Sequence, residues 1–403
     1  MKNHSSLSEL IHRIKALSIG DYSNPLAFST IISDTEILKN IEALYQQLEG
    51  DTITDIVLCG IGGSHFGVQA LYDALYGNPY HQPKVTFHAL TSVDSFTLPW
   101  FVSWYTGLLQ DTKRRIFTFV VSKTGATFET ACHASLCYDL LKKYQPDSYH
   151  KNICIITDKD SPLWNKAGEE KLPALSIPKK IGGRYSIFST AGLGVLHFLK
   201  IDIAQLVRGA QSVDLEAPVN SAQEYVAYLN QGFTIQDIFI FMPQYASLGG
   251  WLRQLLGESL GKEGKGYVPT VSLGSQDLHS VVQCYFAGPQ IAVTTFIIPQ
   301  GKHEPLQVPN TLFSECATLP KKLTYAEIQH AIIQGVLSSY KQANKPFFIT
   351  ELEKDSVYDI GAFMQYKMLE TVYIGTLLGI NPFDQPQVEL YKKETRKLLS
   401  SLS

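Results

Sequence analysis

The sequence predicts an α/β protein with two tandem units, each a mainly parallel sheet flanked by helices, followed by a helical C-terminal segment. Three observations support this fold class. Short, fully apolar runs alternate with segments whose apolar residues recur at helical spacing, which is typical of parallel strands covered on both faces. This alternation appears on either side of a break in the pattern. The last third of the chain is mostly helical in its periodicity.

The first unit contains two strand–turn–helix segments and one further strand. Its apolar runs predict strands over residues 56–59, 116–121 and 152–158. The first two runs are each followed by apolar residues at helical spacing, over 68–75 and 128–141. A polar loop separates strand from helix in both segments, and such loops are the first places to look for chemistry.

The second unit begins after a break at residues 206–219, where Pro218 interrupts the pattern. Apolar runs predict its strands over residues 237–242, 267–272 and 290–298. Helical periodicity predicts helices over residues 247–256, 325–343, 360–378 and 386–399. We therefore expect three parts, which are 1–210 with the first unit, 211–380 with the second unit, and a C-terminal helical segment at 381–403.

The composition argues against several classes of function. The chain has 403 residues, of which 45% are hydrophobic and 18% charged, as in an ordinary globular protein. A formal net charge of −3 leaves no basic excess for binding a nucleic acid, and no apolar run approaches the ~20 residues of a membrane span. We expect a cytoplasmic protein whose six cysteines are reduced core thiols, with no metal ligand set and no cofactor.

The loop at residues 122–127 is the first candidate site. It offers hydroxyl groups at Ser122, Thr124 and Thr127 and a positive charge at Lys123. It precedes a predicted helix, whose free N–H groups and dipole attract a phosphate. The same hydroxyl groups would also serve as ordinary helix caps, so the loop alone leaves both interpretations open.

Two glycine-rich segments allow a ligand to approach the backbone closely. Residues 60–64 contain three glycines, among them Gly63, and end in Ser64, but they do not match a dinucleotide-binding loop. Residues 182–186 place Arg184 after two glycines, where its guanidinium can reach into a cleft or simply lie at the surface. Neither segment identifies a function by itself.

Two residues of the second unit are candidates for general acid–base catalysis. Glu258 lies between two glycines, with Gln254 one helical turn earlier. Its carboxylate suits a general base, although it would equally suit a solvated helix end. His279 lies near an apolar stretch and is open to a structural or a catalytic interpretation.

Together and in this order, these clusters resemble the glucose-6-phosphate isomerase (phosphoglucose isomerase) family, in its short bacterial form, from Gly60 to Lys392. In the first half, the shared motifs are Gly-Ile-Gly-Gly-Ser at 60–64, the serine–lysine–hydroxyl loop at 122–127 and Gly-Gly-Arg-Tyr-Ser at 182–186. In the second half, they are Gln-x-x-x-Glu-Ser-x-Gly-Lys at 254–262, Asp-Leu-His-Ser at 277–280 and Asp-Gln-x-x-Val-Glu-Leu-x-Lys at 384–392. The last four motifs in combination are specific to this family.

The resemblance implies a fold of two sugar-isomerase (SIS) domains, with a C-terminal segment completing the active site. It implies a homodimer with active sites at the subunit interface. The implied reaction is the reversible isomerisation of glucose 6-phosphate and fructose 6-phosphate, in glycolysis and gluconeogenesis. The sugar ring opens, and a proton then moves between C2 and C1 through a cis-enediolate. This chemistry requires neither a metal nor a cofactor.

The resemblance also assigns roles to particular residues. Glu258 matches the base that moves the proton, and Arg184 is the cation suited to stabilise the enediolate. His279, from the neighbouring subunit, and Lys392 match the residues that open the ring. The expected substrate-binding residues are Gly63, Ser64, Ser122, Lys123, Thr124, Thr127, Gln254 and Gln385.

Some residues depart from the family pattern. Ala126 stands where many members have a threonine, and Gln387 and Tyr391 replace two glycines that are common before the last lysine. These changes bear on rate and substrate range more than on the class of reaction.

Two alternatives remain open on the sequence. One is a sugar-phosphate sensor on the same domains, which would not need Glu258, His279 or Lys392. The other is an isomerase of broader specificity that also acts on mannose 6-phosphate. A glucosamine-type isomerase of the amidotransferase group has no support, because no N-terminal glutaminase nucleophile is present.

Overall fold

The computed structural model describes residues 2–78, 80–301 and 305–402, with side chains from Ser6 onward, and contains two separate parallel sheets. The first sheet has the strand order β2-β1-β3-β4-β5. Its strands are β1 (Asp55–Cys59), β2 (Thr86–Leu90), β3 (Ile116–Val121), β4 (Ile153–Thr157) and β5 (Ala174–Ser176). Every residue of β1, β3 and β4 is buried, which explains their uninterrupted apolar sequence.

The second sheet is built on the same plan, with the strand order β7-β6-β8-β9 and all pairs parallel. Its strands are β6 (Ile235–Ile240), β7 (Val268–Leu273), β8 (Ala292–Gln300) and β9 (Phe347–Glu353). The predicted α/β class with two mainly parallel sheets is therefore confirmed.

Helices connect the strands and cover the sheets. The helices of the first part are α1 (Lys2–Lys15), α2 (Thr35–Gln47), α3 (Phe66–Tyr76), α4 (Leu98–Gln110), α5 (Phe128–Tyr144), α6 (Pro162–Glu169), α7 (Thr190–Phe198) and α8 (Ile203–Gln211). The later helices are α9 (Val219–Asn230), α10 (Ala246–Leu260), α11 (Val282–Ala287), α12 (Leu312–Cys316), α13 (Tyr325–Gln342), α14 (Val357–Leu377) and α15 (Val388–Ser400). Within the described part of the chain, none of these helices is long and apolar enough to cross a membrane.

The expected break at 206–219 is only partly a break, because its first residues belong to α8, which packs closely against α14. A Cβ atom on Gly209 would lie 1.9 Å from the main-chain oxygen of Tyr358, and one on Gly361 would lie 2.1 Å from that of Leu206. These two glycines therefore allow the helices to meet backbone to backbone. One hydrophobic core runs through both parts of the molecule, so the division at residues 210 and 380 remains our proposal.

The six cysteines are free, and only some of them lie in the core. Cys59, Cys137 and Cys154 are buried, as expected. The other three are exposed, so the expectation of core thiols was wrong for Cys132, Cys284 and Cys316. Cys132 lies with Ala131 on the exposed side of α5, while Thr130 and His133 lie on its buried side.

Candidate active site

The order in which successive strands are added to the first sheet reverses between β1 and β3, although all strands are parallel. From β1 the chain crosses to β2 on one side, and it then returns to place β3 on the other side of β1. Such a switch point leaves a crevice beyond the carboxyl ends of the two strands, where ligands bind. Cys59 at the end of β1 pairs with Val120 near the end of β3. The structure therefore brings the glycine-rich turn and the 122–127 loop to one crevice.

The 122–127 loop is shaped as a turn rather than as a capped helix start. The amide of Gly125 donates to the main-chain oxygen of Ser122 at 3.2 Å, and Gly125 has a φ of +66°. Thr127 precedes α5 as its N-cap residue, but its side chain makes no capping hydrogen bond within the described structure. Its hydroxyl oxygen lies 3.3 Å from that of Ser122 instead. The first amides of α5 are thus left for an anion, which favours phosphate binding over capping.

The surroundings of Lys123 show which charges meet at this loop. Burial lowers the pKa of the Lys123 ammonium, and Lys180 and Arg184 lower it further, while Asp158 opposes them. A bound anion would offset this loss, because it favours the charged ammonium. Lys180 was not singled out by the sequence analysis, since an exposed lysine outside any motif carries no signal in a sequence.

The glycine-rich turn at 62–64 lies directly against the turn that carries Arg184. A Cβ atom on Gly63 would lie 2.1 Å from the carbonyl carbon of Gly183 and 2.5 Å from the main-chain nitrogen of Arg184. Only glycine permits this approach. The contact brings Arg184 to the edge of the crevice that contains Ser64.

Arg184 is the centre of the site, and its side chain is almost fully buried, with 1% exposed. Its Nη1 atom donates to the Glu258 carboxylate at 3.1 Å and to the Gln385 side-chain oxygen at 2.8 Å. Its Nε atom donates to the hydroxyl of Ser259 at 2.7 Å. One guanidinium therefore joins the end of α10 to the segment that precedes α15.

The remaining nitrogen of Arg184 contacts main-chain oxygens. Nη2 donates to Pro382 at 2.8 Å and to Asp384 at 3.0 Å. A guanidinium has five N–H groups, and all five of Arg184 now have an acceptor. A buried guanidinium with this set of partners is held rigidly in position.

Glu258 is held on both of its oxygen atoms. Gln254, one turn earlier on α10, donates from Nε2 to Glu258 Oε1 at 3.0 Å, while Arg184 contacts Oε2. The same Nε2 atom lies 3.0 Å from where a Cβ atom on Gly62 would be. Glu258 keeps 31% of its side chain exposed, so it faces the crevice rather than the core.

Lys392 and His279 are not joined to this cluster by the described contacts. Lys392 forms an ion pair with Glu389 on its own helix at 2.8 Å, and 32% of its side chain is exposed. His279 ends a short turn after β7 and is exposed. The single chain therefore gathers the predicted base, the cation and the anion loop, but leaves the two predicted ring-opening residues at the surface.

The departures from the family pattern also lie at the surface. Ala126 is exposed, and its amide donates to the Thr124 hydroxyl at 3.4 Å. Gln387 is the N-cap residue of α15, and Tyr391 has 57% of its side chain exposed. Among the described residues, none of the three makes a hydrogen bond or ion pair with Glu258.

Four residues that the sequence analysis did not single out complete the site. Ser259 accepts from Arg184 and lies 2.9 Å from the hydroxyl of Tyr185. Lys262 forms an ion pair with Asp384 at 2.7 Å. All four lie within or beside the recognised motifs, but their residue types do not distinguish them from ordinary polar residues.

His65 follows the glycine-rich turn and is buried, with 8% exposed. Burial lowers the pKa of its imidazole to about 4, and a hydrogen bond with Gly62 only partly offsets this effect. The ring lies 4.2 Å from that of Phe66, centroid to centroid. His65 is therefore neutral at physiological pH and supports the turn by packing.

Solved structures share this fold over most of the chain. A tagatose-6-phosphate ketose/aldose isomerase from Escherichia coli superposes with a TM-score of 0.54 at 12% identity, over 90% of this chain and 93% of that chain. A hypothetical protein from Thermus thermophilus superposes with a TM-score of 0.86 at 28% identity, over 99% of this chain and 95% of that chain. The expected SIS-type fold with a helical C-terminal segment is thus confirmed.

The family can be stated more narrowly. The family model described as phosphoglucose isomerase matches residues 35–403, so the chain belongs to the phosphoglucose isomerase family. A glucose-6-phosphate isomerase from Thermus thermophilus is 29% identical over 413 residues, which cover 99% of this chain and 96% of the relative. The expectation of an isomerase of this family is confirmed.

Proposed function

We propose that the chain interconverts glucose 6-phosphate and fructose 6-phosphate. The observation that carries the proposal is the contact between Arg184 and Glu258 at the mouth of the β1–β3 crevice, beside the 122–127 loop. A carboxylate, a fixed cation and an anion-binding loop are the three groups that an aldose–ketose isomerase needs. Membership of the phosphoglucose isomerase family supports this substrate pair.

The phosphate group is proposed to bind at the 122–127 loop. Its charge would be met by Lys123 and by the first amides of α5, and its oxygens by the hydroxyl groups of the loop. The proposed contacts are those of Ser122, Thr124 and Thr127 with the phosphate, and of Gly63 and Ser64 beside it. Binding at one end leaves the other end of the sugar near Glu258.

Glu258 is proposed to carry the proton between C2 and C1. The two carbons are adjacent, so one carboxylate can reach each of them in turn. Once the proton has been removed from carbon, the negative charge of the cis-enediolate lies on oxygen. Arg184 provides a positive charge that is in place before the reaction, which is the efficient way to stabilise such charge. A substrate oxygen would receive a hydrogen from Nη1 by replacing Glu258 or Gln385 as its acceptor.

Ring opening is proposed to use His279 and Lys392, in a homodimer. His279 is exposed and makes no described contact with Glu258 on its own chain, which suits a residue offered to a neighbouring subunit. Lys392 would have to exchange its pairing with Glu389 for a contact with the sugar. We expect no metal and no cofactor, since every step moves a proton between acid–base groups.

The metabolic pathway follows from the same proposal. An enzyme with this substrate pair would act in glycolysis and in gluconeogenesis, since the reaction is reversible. The cytoplasmic location and the lack of a nucleic-acid partner stay predictions from the sequence.

The test is a coupled assay with fructose 6-phosphate and a dehydrogenase that reports glucose 6-phosphate. The wild-type chain should turn over, and Glu258→Gln should lose roughly 10²–10⁴ in turnover while still binding inorganic phosphate. Near-normal turnover by Glu258→Gln would refute the assignment of the base. Substrate binding without turnover by the wild type would instead support the sensor. A parallel assay with mannose 6-phosphate decides between narrow and broad specificity.

A further inference from the structure

Lys262 lies just beyond the end of α10, and only 9% of its side chain is exposed. Its ammonium donates to the main-chain oxygens of Asn381 and Asp384 and to the carboxylate of Asp384. The contacts with Asp384 measure 2.5 Å to the main-chain oxygen and 2.7 Å to Oδ1. All three hydrogens of the ammonium therefore have an acceptor.

Arg184 holds the same turn, residues 381–385, with three further hydrogen bonds. Its Nη2 atom donates to the main-chain oxygens of Pro382 and Asp384, and its Nη1 atom donates to the side chain of Gln385. The main-chain oxygen of Asp384 thus accepts from both cations. The position of this turn decides where Arg184 finds three of its five acceptors.

Three oxygen atoms of the turn converge on the Lys262 ammonium. A hydrogen bond from Lys262 is the main cause that lowers the pKa of the Asp384 carboxyl, so this group is charged at neutral pH. Asn381 donates to the other oxygen of the same carboxylate at 2.8 Å. Without the ammonium, the main-chain oxygen of Asn381 and Oδ1 of Asp384 would lose their donor, and the main-chain oxygen of Asp384 would keep only Arg184. These oxygen atoms would then repel one another, and the turn would have to open.

We infer that Lys262 is a positioning residue: it fixes the turn 381–385, whose oxygen atoms in turn hold the Arg184 guanidinium against Glu258. This inference rests on the function proposed above. Lys262 does not touch the substrate. It acts through Arg184, so its loss should impair the step that needs the cation more than the binding of the phosphate.

The chain offers matched controls for this idea. Lys265 follows Lys262 by one short turn and also donates to a carbonyl oxygen, that of Leu378 at 3.0 Å, but it is 43% exposed and contacts the end of α14 rather than the turn. Lys265→Met therefore removes a lysine of the same region without removing the contacts of the turn. Asp384→Asn removes one charge but keeps both main-chain acceptors of Lys262.

The experiment compares the full-length wild type with Lys262→Met, Lys262→Arg and Lys265→Met. Turnover and KM are measured with fructose 6-phosphate, and Kd is measured for inorganic phosphate and for a five-carbon sugar-phosphate acid. Lys262→Met should lose about 10- to 100-fold in kcat, which is the loss expected when the Arg184 guanidinium is displaced by roughly 1 Å. KM should change by less than about threefold. Lys262→Arg should recover part of kcat, and Lys265→Met should match the wild type.

The two ligands separate positioning from general damage. Inorganic phosphate needs only the 122–127 loop, so its Kd should not change in Lys262→Met, whereas the acid should bind more weakly because its carboxylate would meet Arg184. Wild-type kcat and acid affinity in Lys262→Met, or a rise in KM with kcat preserved, would overturn the inference.

The inference can still be tested if Lys262→Met does not fold or if the wild type is inactive. If Lys262→Met does not fold, Asp384→Asn and Lys262→Arg are measured in the same way. A kcat in Lys262→Arg that equals that of the wild type, with equal acid affinity, would then contradict a requirement for the three fixed contacts. If the wild type does not isomerise fructose 6-phosphate, the proposed function fails by itself, and the ratio of acid to phosphate affinity still decides the role of Lys262.

Discussion

Replacing Gly63 with alanine tests the contact that brings the two halves of the site together. A Cβ atom at this position would lie 2.1 Å from the carbonyl carbon of Gly183, 2.4 Å from its oxygen and 2.5 Å from the nitrogen of Arg184. Cβ atoms essentially never approach closer than 3.0 Å, and the atoms met here are backbone atoms. The two turns must therefore move apart by about 1 Å, since neither can turn a side chain away.

The displacement has two measurable consequences. Overpacking of this kind costs about 1–3 kcal/mol in the free energy of unfolding. Because the shift falls on the main chain of Arg184, turnover should also fall by roughly 100-fold. Denaturant unfolding followed by the far-UV signal gives the first quantity, and the coupled isomerase assay gives the second.

The matched control is Gly335→Ala on the exposed side of α13, where an added Cβ atom would meet nothing within 4 Å. This variant should be unchanged in turnover and more stable by up to about 1 kcal/mol, because alanine favours the helix. Gly63→Ala with both wild-type stability and wild-type turnover would refute the account of this contact.

Three further predictions concern buried ionisable side chains. Arg184→Lys keeps the charge but cannot reach five acceptors, so kcat should fall by roughly 100-fold in the coupled assay; a fall of less than threefold would show that the charge alone suffices. Because burial depresses the pKa of His65 below its usual value, the unfolded chain binds a proton at pH values where the native chain does not. The free energy of unfolding should therefore fall by about 3 kcal/mol from this residue as the pH drops from about 6.5 to about 4, and this part of the pH dependence should vanish in His65→Phe. Lys367 and Glu370 form a buried ion pair at 2.7 Å, so Lys367→Met should destabilise the protein by about 3–5 kcal/mol, and Glu370→Leu in addition should restore most of the loss. Equal unfolding curves for the wild type and Lys367→Met would contradict this last prediction.

The sequence predicts those strands and helices whose apolar residues form a clear pattern, either a short continuous run or a 3.6-residue repeat. The buried strands β1, β3 and β4 follow from their apolar runs, as do the apolar parts of β6 and β8. The strand expected at 237–242 begins at Ile235 instead, because β6 also buries the polar residues Gln236 and Asp237. Of the helices, α3, α5, α10, α13, α14 and α15 follow from 3.6-residue patterns. The missed strands lack this signal for physical reasons. β5 has three residues, β2 is mostly half-buried, and β9 lies at the edge of its sheet with several exposed residues. Half-exposed and edge strands carry mixed sequences.

In the candidate site, too, the sequence predicts only what a local pattern marks. Motifs identify Glu258 and Arg184 as candidates, but 74 residues separate them, and 201 residues separate Arg184 from Gln385. Which of these residues meet is decided by the packing of the turns and not by any local pattern. Lys262 was passed over for this reason, because its three acceptors lie more than 100 residues away and two of them are main-chain oxygens.

Proton exchange with solvent tests the central claim most directly. Fructose 6-phosphate is incubated with the enzyme in D₂O through many reversible turnovers, and the recovered sugars are examined by NMR. The account predicts deuterium at C2 of glucose 6-phosphate and at C1 of fructose 6-phosphate with the wild type, and none with Glu258→Gln. Interconversion without any incorporation, or incorporation that persists in Glu258→Gln, would contradict proton transfer by this carboxylate.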